Sequence, residues 1–303
     1  MNSSAIPSST ARQVLATVVT NHNVAPQHFL LSLQTPTIAR VAQAGQFVHV
    51  LARAASSRDP LLRRAFSIME AQNEQIKILF RASGSGTLHL SGVGVGDKLD
   101  ILGPLGQPFD QTLFHVKHQH GVAPRPILVG GGVGVPPMVF LGKTFKENRF
   151  NPLMLIGARG SDEVLAFSNF EALEVETQIA TEDGSLGHAG RVTELLEAAL
   201  QSLMPAPTCL GQSDAPAVIY ACGPIPMLRA VAAIAVRYKV PCQVSLEENI
   251  PCGIGVCNGC VVAMKQKDDS LDAAQEASEY GRYRRICVAG PAVWASEIDW
   301  EAV

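Results

Sequence analysis

The chain has neither a strong charge of one sign nor a long uninterrupted apolar run. Its 24 Lys and Arg residues against 27 Asp and Glu residues give a formal net charge of -3, which creates no field to attract nucleic acid or an anionic membrane. The longest apolar stretch, residues 127–141, is interrupted by glycines and two prolines and is too short to cross a bilayer. We therefore expect no nucleic-acid partner and no membrane span, and look to a small molecule or another protein as the partner.

An export signal and a disulfide framework are also missing. The Ser-rich first residues lack the continuous apolar core of a secretory signal, so we expect a cytoplasmic protein. Seven cysteines are an odd number, and in a reducing compartment thiols serve as ligands, reactive groups or core residues rather than as disulfides. Cys209 and Cys242 fit no pattern and are assigned to packing or to the surface.

Two patterns of apolar residues divide the chain. Residues 12–109 contain short β segments between turns and no clear helix, which is typical of a closed or nearly closed antiparallel barrel. Beyond residue 126, apolar runs alternate with helical segments, the clearest at 191–203 and 226–238, which predicts a parallel sheet with crossovers. The region after residue 248 is too small for a core of its own and needs another stabilising element. The predicted domains are a β-barrel at 1–110, a linker at 111–125, an α/β nucleotide-binding domain at 126–248 and a small domain at 249–303.

Four cysteines near the end of the chain form the most specific motif. Cys252, Cys257 and Cys260 follow the spacing C-x4-C-x2-C, and Cys287 comes after 26 intervening residues. This is the plant-type spacing of four thiolates around a [2Fe-2S] cluster, and the glycines between them let the backbone wrap closely. A structural zinc site usually has two close pairs of ligands, and buried free thiols would not explain the glycines. The spacing therefore favours the iron-sulfur cluster over both alternatives.

Two short motifs in the barrel region suggest a dinucleotide site. The tetrapeptide RAFS at 64–67 combines a guanidinium for a pyrophosphate, an aromatic ring to cover a flat ring system and a hydroxyl for its edge. The sequence SGSGT at 83–87 forms a glycine-rich turn before a short helix, where N-H groups can face phosphate. An exposed strand start and a simple turn would look the same separately. Together the two motifs favour a bound dinucleotide.

Three turns follow strands of the predicted parallel sheet. The sequence GGGVGVPP at 130–137 approximates the dinucleotide fingerprint, but has proline where the third glycine would stand. YACGP at 220–224 follows the fourth parallel strand, and TEDGS at 181–185 follows the third. Ligands of such sheets bind beyond the carboxyl ends of the strands, so we expect these turns to line one nucleotide site. Ordinary strand-helix turns and loops remain the alternative.

In this order, the motifs resemble the ferredoxin-NADP reductase superfamily, and with the cysteine pattern they resemble the electron-transfer subunits of class 1B dihydroorotate dehydrogenases. The resemblance covers nearly the whole chain. It implies FAD in the barrel, NAD on the parallel sheet and a [2Fe-2S] cluster in the C-terminal region. It also implies an FMN-containing dihydroorotate dehydrogenase catalytic subunit as partner, in a heterotetramer with two copies of each chain, acting in pyrimidine biosynthesis.

The resemblance also assigns site residues, in three groups. The FAD residues would be Arg64, Ala65, Phe66, Ser67, Leu79, Phe80, Arg81, Gly86 and Thr87. The nicotinamide site would be lined by Gly132, Gly134, Pro137, Gly223 and Pro224, with Cys222 as the candidate catalytic residue. The metal ligands would be Cys252, Cys257, Cys260 and Cys287.

The function that the resemblance implies is transfer of electrons from the partner's FMN through the cluster and FAD to NAD+. A second interpretation keeps the same cofactors but makes the chain an NAD(P)H-dependent reductase subunit of another redox complex. A third, non-enzymatic interpretation is a zinc-stapled interaction module on a degenerate nucleotide-binding body.

Three features depart from the family pattern or add to it. Ala65 stands where the family often has proline. The linker contains His115, His118 and His120 without any cysteine or carboxylate, which favours a solvated insertion over a metal site. Arg159 follows the second parallel strand, where it could pair with the 2'-phosphate of NADP. A solvated arginine fits that position equally well, so the expectation of NAD rests on the resemblance.

Overall fold

A computed structural model describes residues 11–54, 56–114, 124–203, 216–265 and 281–303. The linker residues His115, His118 and His120 lie outside the described residues, as does Cys209. In the part of the chain that is described, no helix is long and apolar enough to span a membrane.

The first seven strands form one antiparallel sheet with an apolar inner face. Alternation along the strands buries one set of side chains, such as Leu31, Leu33, Val48 and Val50. The strands are β1 (Arg12–Ala25), β2 (His28–Gln34), β3 (Phe47–Val50), β4 (Arg64–Ser67), β5 (Glu70–Gln72), β6 (Gln75–Arg81) and β7 (Lys98–Leu105). Their order in the sheet is β4-β3-β7-β1-β2-β6-β5. Two short helices, α1 (Pro36–Ala39) and α2 (Ser85–Ser91), lie in the connections.

The two edge strands of this sheet are consecutive in the chain, and this curls the sheet. Only Ile68 and Met69 separate β4 from β5. The N-H of Ile68 donates to the carbonyl of Gln46, and the N-H of Met69 donates to the carbonyl of Lys77 on β6. One continuous segment is therefore hydrogen-bonded at both edges, which leaves little free edge. The predicted antiparallel barrel is confirmed in this curled form.

A second sheet contains six parallel strands. They are β8 (Arg125–Gly131), β9 (Leu153–Ala158), β10 (Glu176–Thr181), β11 (His188–Ala189), β12 (Ala217–Cys222) and β13 (Cys242–Ser245). Their order is β11-β10-β9-β8-β12-β13, with every pair parallel. The chain changes direction across the sheet between β8 and β12. The carboxyl ends of those two strands therefore form the switch point at which ligands bind in such sheets.

Helices cover both faces of the parallel sheet. One face packs against α5 (Val192–Leu203) and α6 (Ile225–Tyr238), which match the two clearest predicted helices. The other face packs against α3 (Val135–Glu147) and α4 (Phe167–Ala172). The barrel joins this second face, because Met69 and Leu79 belong to the same buried cluster as α3.

The C-terminal region shares the core of the parallel sheet. It contains β14 (Val261–Ala263), β15 (Tyr283–Arg285), α7 (Ile286–Ala289) and β16 (Ala292–Trp294). The last strand pairs antiparallel with β13 and extends the sheet. Val262, Ile286, Val293 and Ile298 pack in the cluster formed by α5, α6 and the sheet. The small region is therefore stabilised by apolar contact with its neighbour.

Candidate functional site

The four candidate ligand cysteines come together as two neighbouring pairs. Three lie on the loop 251–260, and Cys287 lies on α7. The side chains of Cys252 and Cys257 hydrogen-bond to each other. The backbone N-H of Cys287 donates to Sγ of Cys260 at 3.4 Å. The fold thus gathers all four from two separated segments, in agreement with their spacing in the sequence.

The loop turns around the sulfur atoms with its N-H groups pointing inward. Val256 N-H donates to Sγ of Cys252, and Gly259 N-H donates to Sγ of Cys257, each at 3.4 Å. Gly255 has a φ of +77°, and a Cβ there would lie 2.7 Å from Val288. A side chain at this position would clash with Val288 and prevent the loop from folding closely around the sulfur atoms. N-H donors of this kind stabilise negatively charged sulfur ligands.

The two pairs differ in exposure, and Cys252 and Cys287 differ in acidity. Cys257 is exposed and Cys252 half-buried, whereas Cys260 and Cys287 are buried. Burial by itself would raise the pKa of Cys252, but N-H donors from Cys257, Ile254 and Val256 outweigh it and lower the pKa to about 6. Burial and the adjacent Cys260 raise the pKa of Cys287 to about 12. A nearby positive charge, such as a metal centre supplies, would favour the ionised form of Cys287.

The arrangement suits a two-metal cluster. A [2Fe-2S] cluster needs four thiolates shared between two irons. Three cysteines on a glycine-rich loop with inward N-H donors, together with Cys287 on α7, provide that donor set.

The flavin motif lies on β4, which pairs with β3. Phe47 of β3 packs against Cys260 and Cys287. Arg63 is bound to the carboxylate of Asp100 at 2.6 Å. Arg64 donates only to the backbone carbonyls of Leu62 and Arg63 within the described part of the chain. Its charge therefore remains available for a phosphate. Ala65 packs with the buried Cys260 and Cys287, so this strand borders the cysteine site.

Aromatic rings extend from the flavin strand across the sheet. The rings of Phe66 and Phe80 are 5.6 Å apart between centroids, and Phe80 stacks with Phe29 at 5.8 Å. Leu79 is buried between the barrel and α3, while Arg81 is exposed and donates to the Gln27 side chain. Ser67 pairs across the sheet with Phe47.

The glycine-rich turn before α2 is shaped by Thr87. Its hydroxyl accepts hydrogen bonds from the N-H groups of Ser83 and Gly84, each at 3.0 Å, and donates to the Gly84 carbonyl. Gly86 lies against Ala52 and Pro60, which a Cβ would approach to 3.2 Å. Pro60 belongs to the loop that leads to β4. The two predicted flavin motifs therefore border the same loop.

The two turns of the predicted nicotinamide site are in direct backbone contact. Gly132–Gly134 form a short 3-10 turn after β8, and Pro137 lies in the first turn of α3. A Cβ on Gly134 would lie 2.2 Å from the carbonyl oxygen of Cys222 and 2.5 Å from the nitrogen of Gly223. Pro224 precedes α6. The sheet thus brings these predicted residues together at its switch point.

Cys222 and Glu247 lie at this junction. Burial raises the pKa of the Cys222 thiol, and the neighbouring Glu247 raises it further, so the thiol stays protonated at neutral pH. Glu247 is exposed to solvent on one side, yet the surrounding protein raises its pKa as well. The sequence analysis did not select Glu247. Its only sequence signal is its place two residues after the end of β13, at the carboxyl edge of the sheet.

The loops after β9 and β10 pack against each other. The N-H of Ser161 donates to the Ser185 hydroxyl at 2.8 Å, so the TEDGS turn lies at the same edge as the loop containing Arg159. The Arg159 guanidinium is bound by the carboxylate of Glu163, with Nε to Oε2 at 2.8 Å. Glu182 and Asp162 also act on its charge. Arg159 is therefore surrounded by acidic groups rather than free to meet a phosphate.

Comparisons with known proteins give two family matches within the chain. Residues 247–299 match the family model of the iron-sulfur cluster binding domain of dihydroorotate dehydrogenase B. Residues 128–233 match the oxidoreductase NAD-binding domain. A solved structure of an NADH-dependent reduced ferredoxin-NADP oxidoreductase, described in work on flavin-based electron bifurcation, is 25% identical with a TM-score of 0.73. The alignment covers 95% of this chain and 91% of that one.

Curated relatives are similar over nearly their full length. The electron transfer subunit of dihydroorotate dehydrogenase B (NAD(+)) from Shouchella clausii is 36% identical over 95% of this chain and 98% of the relative. The same subunit from Geobacillus thermodenitrificans is 34% identical over 93% of this chain and 96% of the relative.

The curled flavin-type sheet, the parallel NAD-binding sheet and the iron-sulfur domain define an oxidoreductase subunit of the ferredoxin reductase fold, whose cofactors are FAD, NAD and an iron-sulfur cluster. The resemblance seen in the motifs is thereby confirmed. The chain belongs to the family of electron transfer subunits of NAD+-dependent dihydroorotate dehydrogenase B.

Proposed function

We propose that the chain carries electrons from the FMN of a dihydroorotate dehydrogenase catalytic subunit, through a [2Fe-2S] cluster and FAD, to NAD+ in pyrimidine biosynthesis. The observation that carries the proposal is the contact between two sites. The buried cysteines Cys260 and Cys287 pack against Phe47 of β3 and Ala65 of β4. An iron-sulfur cluster held by the cysteine loop and a flavin held by β4 would therefore be neighbours.

In this proposal, the four cysteines hold the cluster, with the exposed Cys257 on the side that faces solvent. When bound, the cluster exchanges single electrons and the flavin exchanges a pair with the nicotinamide. The protein binds and orients these cofactors and excludes water from them. Arg64 holds the FAD diphosphate, and Phe66 and Ser67 contact the flavin ring. Leu79, Phe80 and Arg81 on β6, with Gly86 and Thr87 at the start of α2, complete the FAD site.

The junction of β8 and β12 receives the nicotinamide. Gly132, Gly134 and Pro137 form one wall, and Gly223 and Pro224 form the other. Cys222 is proposed to contact the nicotinamide ring as a protonated thiol, since burial keeps the pKa of the thiol high. A neutral group there places no negative charge beside the transferred hydride.

The surroundings of Arg159 support NAD rather than NADP. A 2'-phosphate approaching this arginine would have to displace Glu163, which accepts two hydrogen bonds from the guanidinium. It would also meet the charges of Asp162 and Glu182. Like charges this close oppose phosphate binding, whereas an adenosine ribose with free hydroxyls meets no such opposition.

The partner and the assembly belong to the same proposal. The names of the relatives imply a dihydroorotate dehydrogenase catalytic subunit as partner, and we propose that it contains FMN and forms a heterotetramer with two copies of each chain. The domain limits 1–110, 111–125, 126–248 and 249–303 are proposed with it. A cytoplasmic location suits thiols that must remain reduced to bind iron.

The test is dihydroorotate-dependent reduction of NAD+ by the chain co-expressed with its catalytic subunit. The proposal predicts NADH formation that needs both subunits, together with flavin and iron-sulfur absorbance in this chain. A second candidate, a reductase subunit of another redox complex, is favoured by the similarity to the ferredoxin-NADP oxidoreductase structure. Rapid NADH oxidation with artificial acceptors, but no dihydroorotate-dependent activity in the assembled complex, would favour that candidate.

A further inference from the structure

His49 lies between the flavin strand and the cysteine loop. It is the third residue of β3, where it pairs with Ala65 of β4. Its strand neighbours Val48 and Val50 point into the barrel core. Since side chains alternate along a strand, His49 and Phe47 point the other way, towards the C-terminal region.

The imidazole of His49 is buried and has no hydrogen-bond partner of normal geometry. The residue is fully buried, and both ring nitrogens are among the buried polar atoms without a partner in the described structure. The backbone of Ile250 lies close enough to favour the protonated ring weakly. Burial, assisted by the charge of Arg63, nevertheless lowers the pKa of His49 to about 4. The neutral ring therefore carries one N-H donor and one acceptor.

A buried N-H group without a partner is costly and uncommon. Asn21 and Thr35 each have one such buried oxygen in the described chain, whereas His49 has two unpartnered ring nitrogens. An unpartnered polar group of this kind indicates a ligand that the protein alone does not include.

The cysteine loop is what lies against the ring. A Cβ on Gly253 would be 2.8 Å from Cε1 of His49, 2.9 Å from Nδ1 and 3.1 Å from Nε2. Gly253 directly follows Cys252. Phe47, whose ring centroid is 5.7 Å from that of His49, packs with Cys260 and Cys287. The face of β3 that points away from the barrel core therefore lies against Gly253 and against the buried pair Cys260 and Cys287.

We propose that His49 is a positioning residue for the cluster: its ring N-H donates a hydrogen bond to a sulfur of the [2Fe-2S] centre held by the adjoining loop. This inference rests on the proposed function, because it requires the cluster. A hydrogen bond to sulfur stabilises the reduced, more negative cluster and is one of the factors that set its potential. His49 would thus favour electron acceptance at the end of the cluster site that borders the flavin strand.

The experiment uses the iron-loaded, FAD-containing chain and follows reduction of the cluster by electron paramagnetic resonance during a redox titration. His49→Leu removes the donor and should shift the reduction equilibrium about tenfold towards the oxidised form, which is ~59 mV for a one-electron couple. His49→Gln retains an N-H donor and should recover at least half of that shift. His22→Leu, on the exposed part of β1, is the matched control and should leave the potential unchanged.

An unchanged cluster potential in iron-loaded His49→Leu would overturn the inference, as would an equal shift in His49→Gln. A shift confined to the flavin potential would also overturn it, because it would place the donor on FAD. If His49→Leu binds no iron, pulsed resonance on the unmodified chain with 15N-labelled histidine decides. A nitrogen coupling to the reduced cluster that disappears in His49→Gln supports the assignment, and its absence from the unmodified chain overturns it. Unmodified protein without any cluster signal would instead remove the proposed function itself.

Discussion

Replacing Gly134 by alanine tests the nicotinamide site at a position where the structure leaves no room for a side chain. The added Cβ would lie 2.2 Å from the carbonyl oxygen of Cys222 and 2.3 Å from its carbonyl carbon. Ordinary contacts of this kind begin near 3.4 Å, so the turn after β8 and the turn after β12 must separate by about 1 Å. A displacement of about 1 Å at a reacting site costs on the order of 100-fold in rate.

The assay for Gly134→Ala is NADH-dependent reduction of an artificial acceptor, with FAD content measured on the same sample. We expect kcat/KM for NADH to fall about 100-fold, while FAD remains bound because the flavin strand lies on the other sheet. Gly142→Ala, in the same α3, is the control, since its Cβ would meet Leu128 and Phe170 only at 3.4 Å. A Gly134→Ala variant with full FAD and a kcat/KM within twofold of the unmodified protein would refute this account of the site.

Three further predictions concern the other parts of the fold. Cys257→Ser should strip iron and end electron transfer to the partner while FAD stays bound, as checked by iron analysis and flavin absorbance; loss of FAD would contradict the separation of the sites. Gln243→Leu removes the side-chain amide that exchanges two hydrogen bonds with the backbone of Asp110, and should lower the apparent free energy of unfolding by about 2 kcal/mol in urea. Glu70→Gln should lower stability by about 0.5 kcal/mol at neutral pH, because Glu70 pairs with Lys77 and Lys143. Burial raises the pKa of Glu70, but these lysines outweigh it and lower the pKa overall, so its contribution is present above the ordinary pKa and is lost as the pH falls through the lowered value. The difference between Glu70→Gln and the unmodified protein should therefore vanish in acid, and a difference that persists there would contradict the ion-pair explanation.

Features that depend on local spacing could be predicted from the sequence. The helical segment at 191–203 predicted α5, and the apolar runs beyond residue 126 predicted parallel strands such as β9 and β12, because period and turn residues are local properties. The cysteine spacing predicted the gathering of Cys252 and Cys287 for a chemical reason, since four thiolates around one centre constrain their separation along the chain.

Features that depend on contact between distant segments could not be predicted. Strand β16 at Ala292–Trp294 joins β13 across the C-terminal region, and three residues contain too little pattern to show the pairing. His49 looks like an ordinary strand residue until the loop at Gly253 is seen against it. Glu247 likewise becomes notable only through its closeness to Cys222. In each case the partner lies far away in sequence.

The relay between NAD, FAD and the cluster is tested most directly by adding NADH to the isolated chain under anaerobic conditions and recording the electron paramagnetic resonance spectrum. The account predicts that NADH alone bleaches the flavin and produces the signal of a reduced [2Fe-2S] cluster, and that Cys257→Ser bleaches without the signal. A flavin that is reduced by NADH beside an iron-loaded cluster that stays oxidised would contradict the account, because the two sites would then not exchange electrons.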